Sequence, residues 1–180
     1  MTTTTLPYDV TTALTLILPN TPFINGTRSE HDNAYQRWMP HINFMFPFVE
    51  EIHLETMKQK LEKAFGNQKS FKLDLSNLDC FQQKKRTTFH LKPSSQTELN
   101  KLYTIIRKTL PEVYVKHPQF KAHLTLGQCP KKDYPELKKT LELAMANENL
   151  VFNIDGIYII QRSKEDKTVP FKIVHKISFA

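Results

Sequence analysis

The spacing of apolar residues divides this chain into alternating strands and helices along its whole length. Apolar positions three and four residues apart predict three helices that bury one face each. They lie over residues 54–65, 99–110 and 133–145. Short apolar or alternating runs predict strands. These fall at residues 13–18, 41–46, 71–75, 87–92, 122–128, 151–161 and 171–179. A further helix is expected between residues 21 and 39, ahead of Pro40.

Residues at the ends of these segments support the helix predictions. Gly66 stands where the first helix would end, and Ser95 with Glu98 forms a capping-box pattern at the start of the second. Asp133 and Pro135 open the third helix, whose inward face is expected to carry four apolar side chains. These are Leu137, Leu141, Ala144 and Met145. The interleaved elements favour an α+β fold with mixed or antiparallel sheets, built as one domain over residues 1–180 with two similar lobes.

Composition and charge narrow the class of protein. The chain has 25 Lys and Arg residues against 18 Asp and Glu residues, a formal net charge of +7. A basic surface of this size suits a polyanion such as RNA, although an ordinary solvated surface explains it equally well. Cys80 and Cys129 match neither a disulfide framework nor a zinc motif. We therefore expect a reducing intracellular compartment, cytoplasmic or nuclear.

Neither a membrane span nor a secretory signal is predicted. The longest apolar stretches, such as residues 44–49, are far too short to cross a bilayer. The N-terminal segment Met1–Thr5 lacks the charged and apolar regions of a signal peptide.

Two short segments, nearly half the chain apart, repeat one pattern of side chains. His41 is followed by an apolar residue, Asn43 and another apolar residue, and His123 is followed in the same way by Leu124 and Thr125. Successive side chains of a strand point to opposite faces, so each histidine would share a face with the polar residue two positions later. Either histidine alone is more easily explained as structural. The repetition is what favours a paired site.

Two imidazoles facing one phosphate can perform acid–base chemistry. One neutral imidazole takes a proton from the attacking oxygen while a second, protonated one supplies a proton to the departing oxygen. Asn43 and Thr125 could donate hydrogen bonds to the phosphate oxygens. This chemistry needs no metal and no cofactor, and the sequence leaves open which histidine is the base.

The two histidine segments and their neighbouring residues resemble the motifs of a known family. Residues 38–43 (Trp-Met-Pro-His-Ile-Asn) and 120–128 (Phe-Lys-Ala-His-Leu-Thr-Leu-Gly-Gln) resemble the paired motifs of the two-histidine (2H) phosphoesterase superfamily, which includes 2′-5′ RNA ligase-like proteins and cyclic nucleotide phosphodiesterases. The second motif matches closely. The first departs from the usual His-x-Thr/Ser pattern, because Asn43 replaces the hydroxyl residue.

The resemblance implies a bilobal fold with a central cleft and one histidine motif from each lobe. It implies metal-independent phosphodiesterase activity on RNA-type substrates, with 2′,3′-cyclic phosphate ends or 2′-5′ linkages. His41 and His123 would be catalytic, and Asn43 and Thr125 would bind the substrate phosphate. We expect a monomer whose partner is an RNA, an oligonucleotide or a cyclic nucleotide. Replacement of Asn43 keeps open a non-catalytic module that binds RNA ends or nucleotides, and a protein-interaction scaffold is a weaker alternative.

Other residues have functional interpretations beside simpler ones. Trp38 and Phe81 could contact a nucleotide, but core packing is the simpler expectation for both. Thr88, His90 and Lys92 are expected on an exposed strand face, with lining of the cleft as the alternative. The run Lys84–Arg86 is expected to be a solvated turn, with RNA guidance as a minor alternative.

Overall fold

The computed structural model describes residues 5–180; the segment Met1–Thr4, on which the prediction about a secretory signal mainly depends, lies outside the described residues. Four α-helices and eleven β-strands make up the described part of the chain. The helices are α1 (Pro22–His31), α2 (Leu54–Phe65), α3 (Thr97–Thr109) and α4 (Tyr134–Met145). The strands are β1 (Tyr8–Asp9), β2 (Thr12–Ile17), β3 (His41–Met45), β4 (Phe48–Val49), β5 (Phe71–Asp74), β6 (Asn77–Gln82), β7 (Arg86–Lys92), β8 (Leu124–Pro130), β9 (Val151–Ile154), β10 (Gly156–Gln161) and β11 (Lys172–Ser178).

The first of the two larger sheets has four strands in the order β11-β10-β2-β3. All of its pairings are antiparallel, and β3 lies at its edge. Residue Ile17 pairs with His41 and Thr15 pairs with Asn43. On the buried side of β3, Ile42 and Phe44 enter the hydrophobic core, so His41 and Asn43 are left on the opposite face.

The second larger sheet has three antiparallel strands in the order β6-β7-β8. Leu91 pairs with Leu124, and His90 pairs with Thr125. The register shifts next to His90, where β8 carries an extra residue opposite β7. The bulge keeps Leu124 and Leu126 in the core while Thr125 remains on the other face. Two small antiparallel sheets, β5-β9 and β1-β4, complete the strand pairing.

A close approach of helix α1 to strand β8 joins the parts of the fold that carry the two motifs. A side chain at Gly127 would place its Cβ 2.4 Å from the Cβ of His31. The same Cβ would lie 2.8 Å from the backbone carbonyl carbon and oxygen of His31. Only glycine therefore permits this packing without movement of the helix. Because α1 precedes β3 in the chain, the contact brings the segment before His41 onto the strand after His123.

The structure confirms the α+β class, and every observed strand pair is antiparallel. The two histidine strands belong to separate sheets, but the two-lobed arrangement remains an expectation. Within residues 5–180, no helix combines the length and the apolar character that crossing a membrane requires.

Three local predictions were wrong. The strand predicted over residues 122–128 begins only at Leu124, so His123 lies just before it. The residue that caps α3 is Gln96 rather than Ser95, and its side chain makes no capping hydrogen bond. Ala144 is exposed, because the buried residues of α4 are Tyr134, Leu141 and Met145, with Leu137 half-buried.

Candidate active site

The imidazole of His41, the first residue of β3, is held by a hydrogen bond to the backbone two residues earlier. Its Nδ1 lies 2.7 Å from the carbonyl oxygen of Met39. A carbonyl oxygen can only accept, so Nδ1 carries the hydrogen. In the neutral ring, Nε2 is then the unprotonated nitrogen that can take a proton. The indole of Trp38 stacks on the imidazole, with ring centroids 4.5 Å apart, and fixes its plane.

His123 repeats this arrangement immediately before β8. Its Nδ1 lies 2.7 Å from the carbonyl oxygen of Lys121, again two residues earlier in the chain. The same tautomer follows, with Nε2 as the free basic nitrogen. Phe81 and this ring meet in a T-shaped arrangement, with centroids 5.0 Å apart. Two distant segments thus present their imidazoles in the same local geometry.

The two histidines lie close enough to interact electrostatically. A positive charge on His123 lowers the pKa of His41. A cavity of about 640 Å³ opens here, lined on one side by Asn43 and the four residues that follow it. On its other side lie His123, Phe81 and the irregular segment 114–121. The volume is in the range of small-molecule binding sites.

Burial is the main influence on the proton affinity of both histidines. It lowers the pKa of His41 to about 4, although the Met39 carbonyl opposes this shift. Burial likewise lowers the pKa of His123, against the effect of the Lys121 carbonyl. Both imidazoles are therefore neutral at pH 7 in the free protein. A bound phosphate anion would supply the negative charge that raises the pKa of a neighbouring imidazole.

A buried ion pair supports the segment that leads to His41. Arg28 donates from Nε and Nη2 to Oδ2 of Asp32, at 2.9 and 2.8 Å, and both side chains are almost fully buried. Nη2 of Arg28 also donates to the Trp38 carbonyl, at 2.8 Å. The free carboxylate oxygen of Asp32 accepts from the Ala34 amide at 2.9 Å. The pair therefore fixes the turn that ends in Trp38 and His41.

Gln128 links this turn to the second sheet. Its Oε1 accepts from the backbone amide of Asn33 at 3.1 Å. Asn33 follows α1, and Gln128 lies on β8, three residues beyond Thr125. The hydrogen bond therefore connects the two histidine-bearing parts of the molecule directly.

A third histidine, His90, lies against His123. The prediction of an exposed position for His90 was wrong, because only 3% of the residue is accessible to solvent. Its ring stacks on Phe81, with centroids 4.4 Å apart, and meets His123 edge to face at 5.3 Å. Its Nδ1 has no hydrogen-bond partner among residues 5–180. Burial lowers the pKa of His90 to about 4, with the charge of His123 as the next contribution.

Asn43 lies on β3 two positions after His41, and Thr125 is the second residue of β8, two positions after His123. Asn43 lines the cavity, and its Oδ1 is buried without a hydrogen-bond partner in the described part of the chain. Thr125 is half-buried and pairs across the ladder with His90. Of the four predicted site residues, Asn43 and His123 line the cavity, whereas His41 and Thr125 are not among its lining residues.

Sequence reasoning missed Arg28 and Asp32 as supports of the site. Their opposite charges, four residues apart within a segment of mixed character, were the available signal. Core packing was expected for Trp38 and Phe81; Trp38 does pack against a small buried cluster that includes Phe171, but both rings also contact histidines of the site. Both are half-buried; Trp38 contacts His41, and Phe81 contacts both His90 and His123. Among residues 5–180, no three side chains of the types that bind metals come together.

Several solved structures share this fold over nearly their whole length. E. coli LigT, solved with 3′-AMP, superposes with a TM-score of 0.62 and 12% identity, over 93% of this chain and 97% of that one. TT0787 of Thermus thermophilus gives the same values. Usb1 of Kluyveromyces marxianus gives a TM-score of 0.57 and 12% identity, over 91% of this chain and 96% of that one. At identities this low, the superpositions establish a shared fold and nothing more.

The sequence itself gives the family. No curated protein shows significant similarity to the chain. A family model described as the 2′-5′ RNA ligase superfamily matches residues 18–166, and this range includes His41 and His123. Because the match spans most of the chain, this protein belongs to the 2′-5′ RNA ligase superfamily of two-histidine phosphoesterases.

Proposed function

We propose that this protein is a metal-independent phosphodiesterase that opens or cleaves RNA-type phosphodiesters, with 2′,3′-cyclic phosphate ends or 2′-5′ linkages as substrates. Membership of the superfamily supports an enzyme with phosphodiesterase-type activity. The observation that carries the proposal is the repeated imidazole geometry. His41 and His123 each bind a carbonyl through Nδ1 and keep Nε2 for proton transfer.

The reaction on a 2′,3′-cyclic phosphate balances with two imidazoles and one water. The neutral imidazole takes a proton from water as the water oxygen forms a bond to phosphorus. The bond from phosphorus to one ribose oxygen breaks, and the protonated imidazole gives its proton to that oxygen. Each histidine ends in the protonation state of the other, and proton exchange with solvent restores the pair. Either histidine can start as the base.

The surroundings of the histidines suit an anionic nucleotide. Asn43 and Thr125 would donate to the non-bridging phosphate oxygens, where charge develops in the transition state. Lys116, His117 and Lys121 line or border the cavity and are exposed. Crystal structures of E. coli LigT with 3′-AMP, ATP and NADP+ concern a protein of the same fold, and they support a nucleotide as ligand here.

The proposal is tested with a panel of 2′,3′-cyclic nucleotides and 2′-5′ oligoadenylates in the presence of EDTA. We expect turnover of at least one member of the panel, unaffected by the chelator. His41→Ala and His123→Ala should each reduce kcat by about 100-fold or more, because loss of a general acid or base has effects of 10²–10⁴. The matched control is His53→Ala, since His53 lies in the short helical turn before α2.

Three outcomes would contradict the proposal. Turnover that EDTA abolishes would mean that a metal is required. Equal losses in the three alanine variants would mean that the site residues have no special role. Tight nucleotide binding without any product, retained in both site variants, would favour the non-catalytic binding module instead. Thermal unfolding of every variant shows whether a loss reflects misfolding.

A further inference from the structure

Two basic runs that are distant in sequence meet at one end of the three-stranded sheet. Lys84 and Lys85 lie in the turn between β6 and β7, Arg86 is the first residue of β7, and Lys131 and Lys132 follow β8. Arg86 pairs with Pro130 in the ladder, and the Lys131 amide donates to the Lys85 carbonyl at 3.1 Å. All five basic residues are exposed. We call this group the basic end.

The charges of the basic end are not neutralised by salt bridges within the described chain. None of its five residues pairs with a carboxylate of residues 5–180. Many lysines elsewhere do pair, for example Lys58, Lys92 and Lys139. Asp133 follows Lys132 directly, so the local balance remains strongly positive. A cluster of this kind binds a chain of phosphates favourably, because it releases the counterions that are condensed on the nucleic acid.

One face of β7 leads from the active site to the basic end. Side chains alternate along a strand, so Arg86, Thr88 and His90 point to the same face. His90 contacts His123 at the site, Thr88 is half-buried, and Arg86 is exposed. Strand β8, which has 7 residues, spans the distance between His123 and the basic end. At about 3.3 Å per residue, the basic end lies roughly 20 Å from His123.

We propose that the basic end binds the backbone of a single-stranded RNA whose reacting end occupies the His41–His123 site. This inference rests on the proposed function. A distance of roughly 20 Å corresponds to about six nucleotides at 3.4 Å each in a stacked strand, and to fewer in an extended one. The enzyme would then process the end of an oligonucleotide, and a mononucleotide would use only the site itself.

The experiment compares oligoadenylates of two to ten nucleotides that end in a 2′,3′-cyclic phosphate. The test variant replaces the five basic residues by glutamine: Lys84→Gln, Lys85→Gln, Arg86→Gln, Lys131→Gln and Lys132→Gln. The control variant removes five exposed charges elsewhere: Lys63→Gln, Lys69→Gln, Lys72→Gln, Lys101→Gln and Lys108→Gln. Both changes lower the net charge equally, from +7 to about +2. Fluorescence anisotropy gives Kd over a salt series, and product formation gives kcat/KM.

We expect the test variant to bind the decamer at least ~10-fold more weakly than the control variant at 0.1 M salt. The slope of log K against log salt should fall by roughly 2–3, since each lost phosphate contact contributes about 0.7. The difference between the two variants should vanish for the dinucleotide, and turnover of a 2′,3′-cyclic mononucleotide should be unchanged in both.

Equal decamer affinity in the two variants would overturn the inference, and so would a wild-type protein that does not bind the decamer. A difference that is the same for the dinucleotide and the decamer would also overturn it, because the effect would then arise at the site. Failure of the proposed function is seen separately, as absence of turnover of every substrate by the wild type. Binding of the decamer is measured independently of turnover.

Discussion

The two histidine motifs use one backbone device in two different surroundings. In each motif the ring donates from Nδ1 to the carbonyl two residues earlier, at 2.7 Å. Around His41, however, lie Trp38 and the buried Arg28–Asp32 pair. Around His123 lie a neutral histidine, a phenylalanine and the irregular segment that lines the cavity.

The comparison shows that the orientation of each imidazole and its proton affinity have different causes. The carbonyl contact selects the tautomer at both positions and depends only on local chain geometry. The surroundings determine how costly a positive charge is. Burial is the largest influence on the pKa at both positions; at His41 the charges of Arg28 and His123 lower the pKa further, while that of Asp32 raises it. The histidine of the first motif therefore lies beside a charged network, and the histidine of the second motif is packed among aromatic rings.

The largest expected effect concerns stability at the first motif. Arg28→Leu leaves the Asp32 carboxylate buried without its partner, and the loss of one member of a buried pair typically destabilises by 3–5 kcal/mol. We expect a decrease of about 3–5 kcal/mol in the free energy of unfolding, measured with urea at pH 7. The double variant Arg28→Leu/Asp32→Leu should recover a large part of it, because neither charge then remains.

A decrease below about 1 kcal/mol in Arg28→Leu would show that water or another group replaces the guanidinium. The charged network would then not be what distinguishes the first motif.

The next effect concerns the polar residues that accompany the histidines. Thr125→Val removes a proposed donor without changing the shape of the side chain, so kcat should fall by about 100-fold or more. Asn43→Thr keeps a donor and restores the hydroxyl found in the usual motif, so kcat should change by less than about 10-fold. Steady-state kinetics with a 2′,3′-cyclic nucleotide measures both. A Thr125→Val enzyme as active as the wild type would remove Thr125 from the phosphate site.

His90 gives a smaller effect that is specific to the second motif. Its pKa of about 4 in the fold lies below the usual value of 6.5, so the unfolded chain binds more protons between these pH values. The stability present above pH 6.5 is therefore lost as the pH falls towards 4. In His90→Phe this loss should be reduced by up to about 3 kcal/mol, as measured by urea unfolding at pH 7.5 and pH 4.5.

An identical pH dependence of stability in His90→Phe and the wild type would mean that His90 is not a buried neutral histidine. Comparison at pH 7.5 separates this effect from any change in packing, because the imidazole is neutral there in both states.

The smallest effects concern the aromatic rings that cover each histidine. Trp38→Leu should raise the pKa of His41, and Phe81→Leu should raise that of His123, because water then reaches the imidazole. The kcat/KM profile of the wild type should be bell-shaped, with its optimum below pH 6.5, since burial lowers both pKa values. Each variant should move the profile towards higher pH. An optimum above pH 7.5 in the wild type would contradict this.

The sequence predicts the regular parts of this fold because their burial is one-sided. The apolar stripes of α2 and α3 and the alternation in β7 follow directly from spacing. Strand β6 was not predicted, because most of its residues are half-buried and its sequence therefore shows no alternation of apolar and polar positions. Three strand pairs of the larger sheets join residues far apart in the chain, and spacing along the sequence carries no information about such partners.

The candidate site likewise has features that could be predicted from the sequence and features that could not. The pattern around His41 and His123 was visible because each motif is local, and the resemblance to the superfamily rests on those same residues. The burial of His90 was not visible, because it results from Phe81 on one neighbouring strand and His123 beside the other. The role of Arg28 was hidden for a similar reason, since its partners become clear only when the turn before His41 is folded.

The most direct test of the account is a ¹⁵N NMR titration of the imidazoles, with and without inorganic phosphate, in the wild type and in His123→Asn. We expect Nδ1 of His41 and His123 to carry the hydrogen in the neutral state, and His41 to titrate at about 4 in the free protein. Phosphate should raise the pKa of His41 or His123, and removal of His123 should raise the pKa of His41. A His41 that titrates near 6.5 and responds neither to phosphate nor to the loss of His123 would contradict the convergence of the two imidazoles on one site.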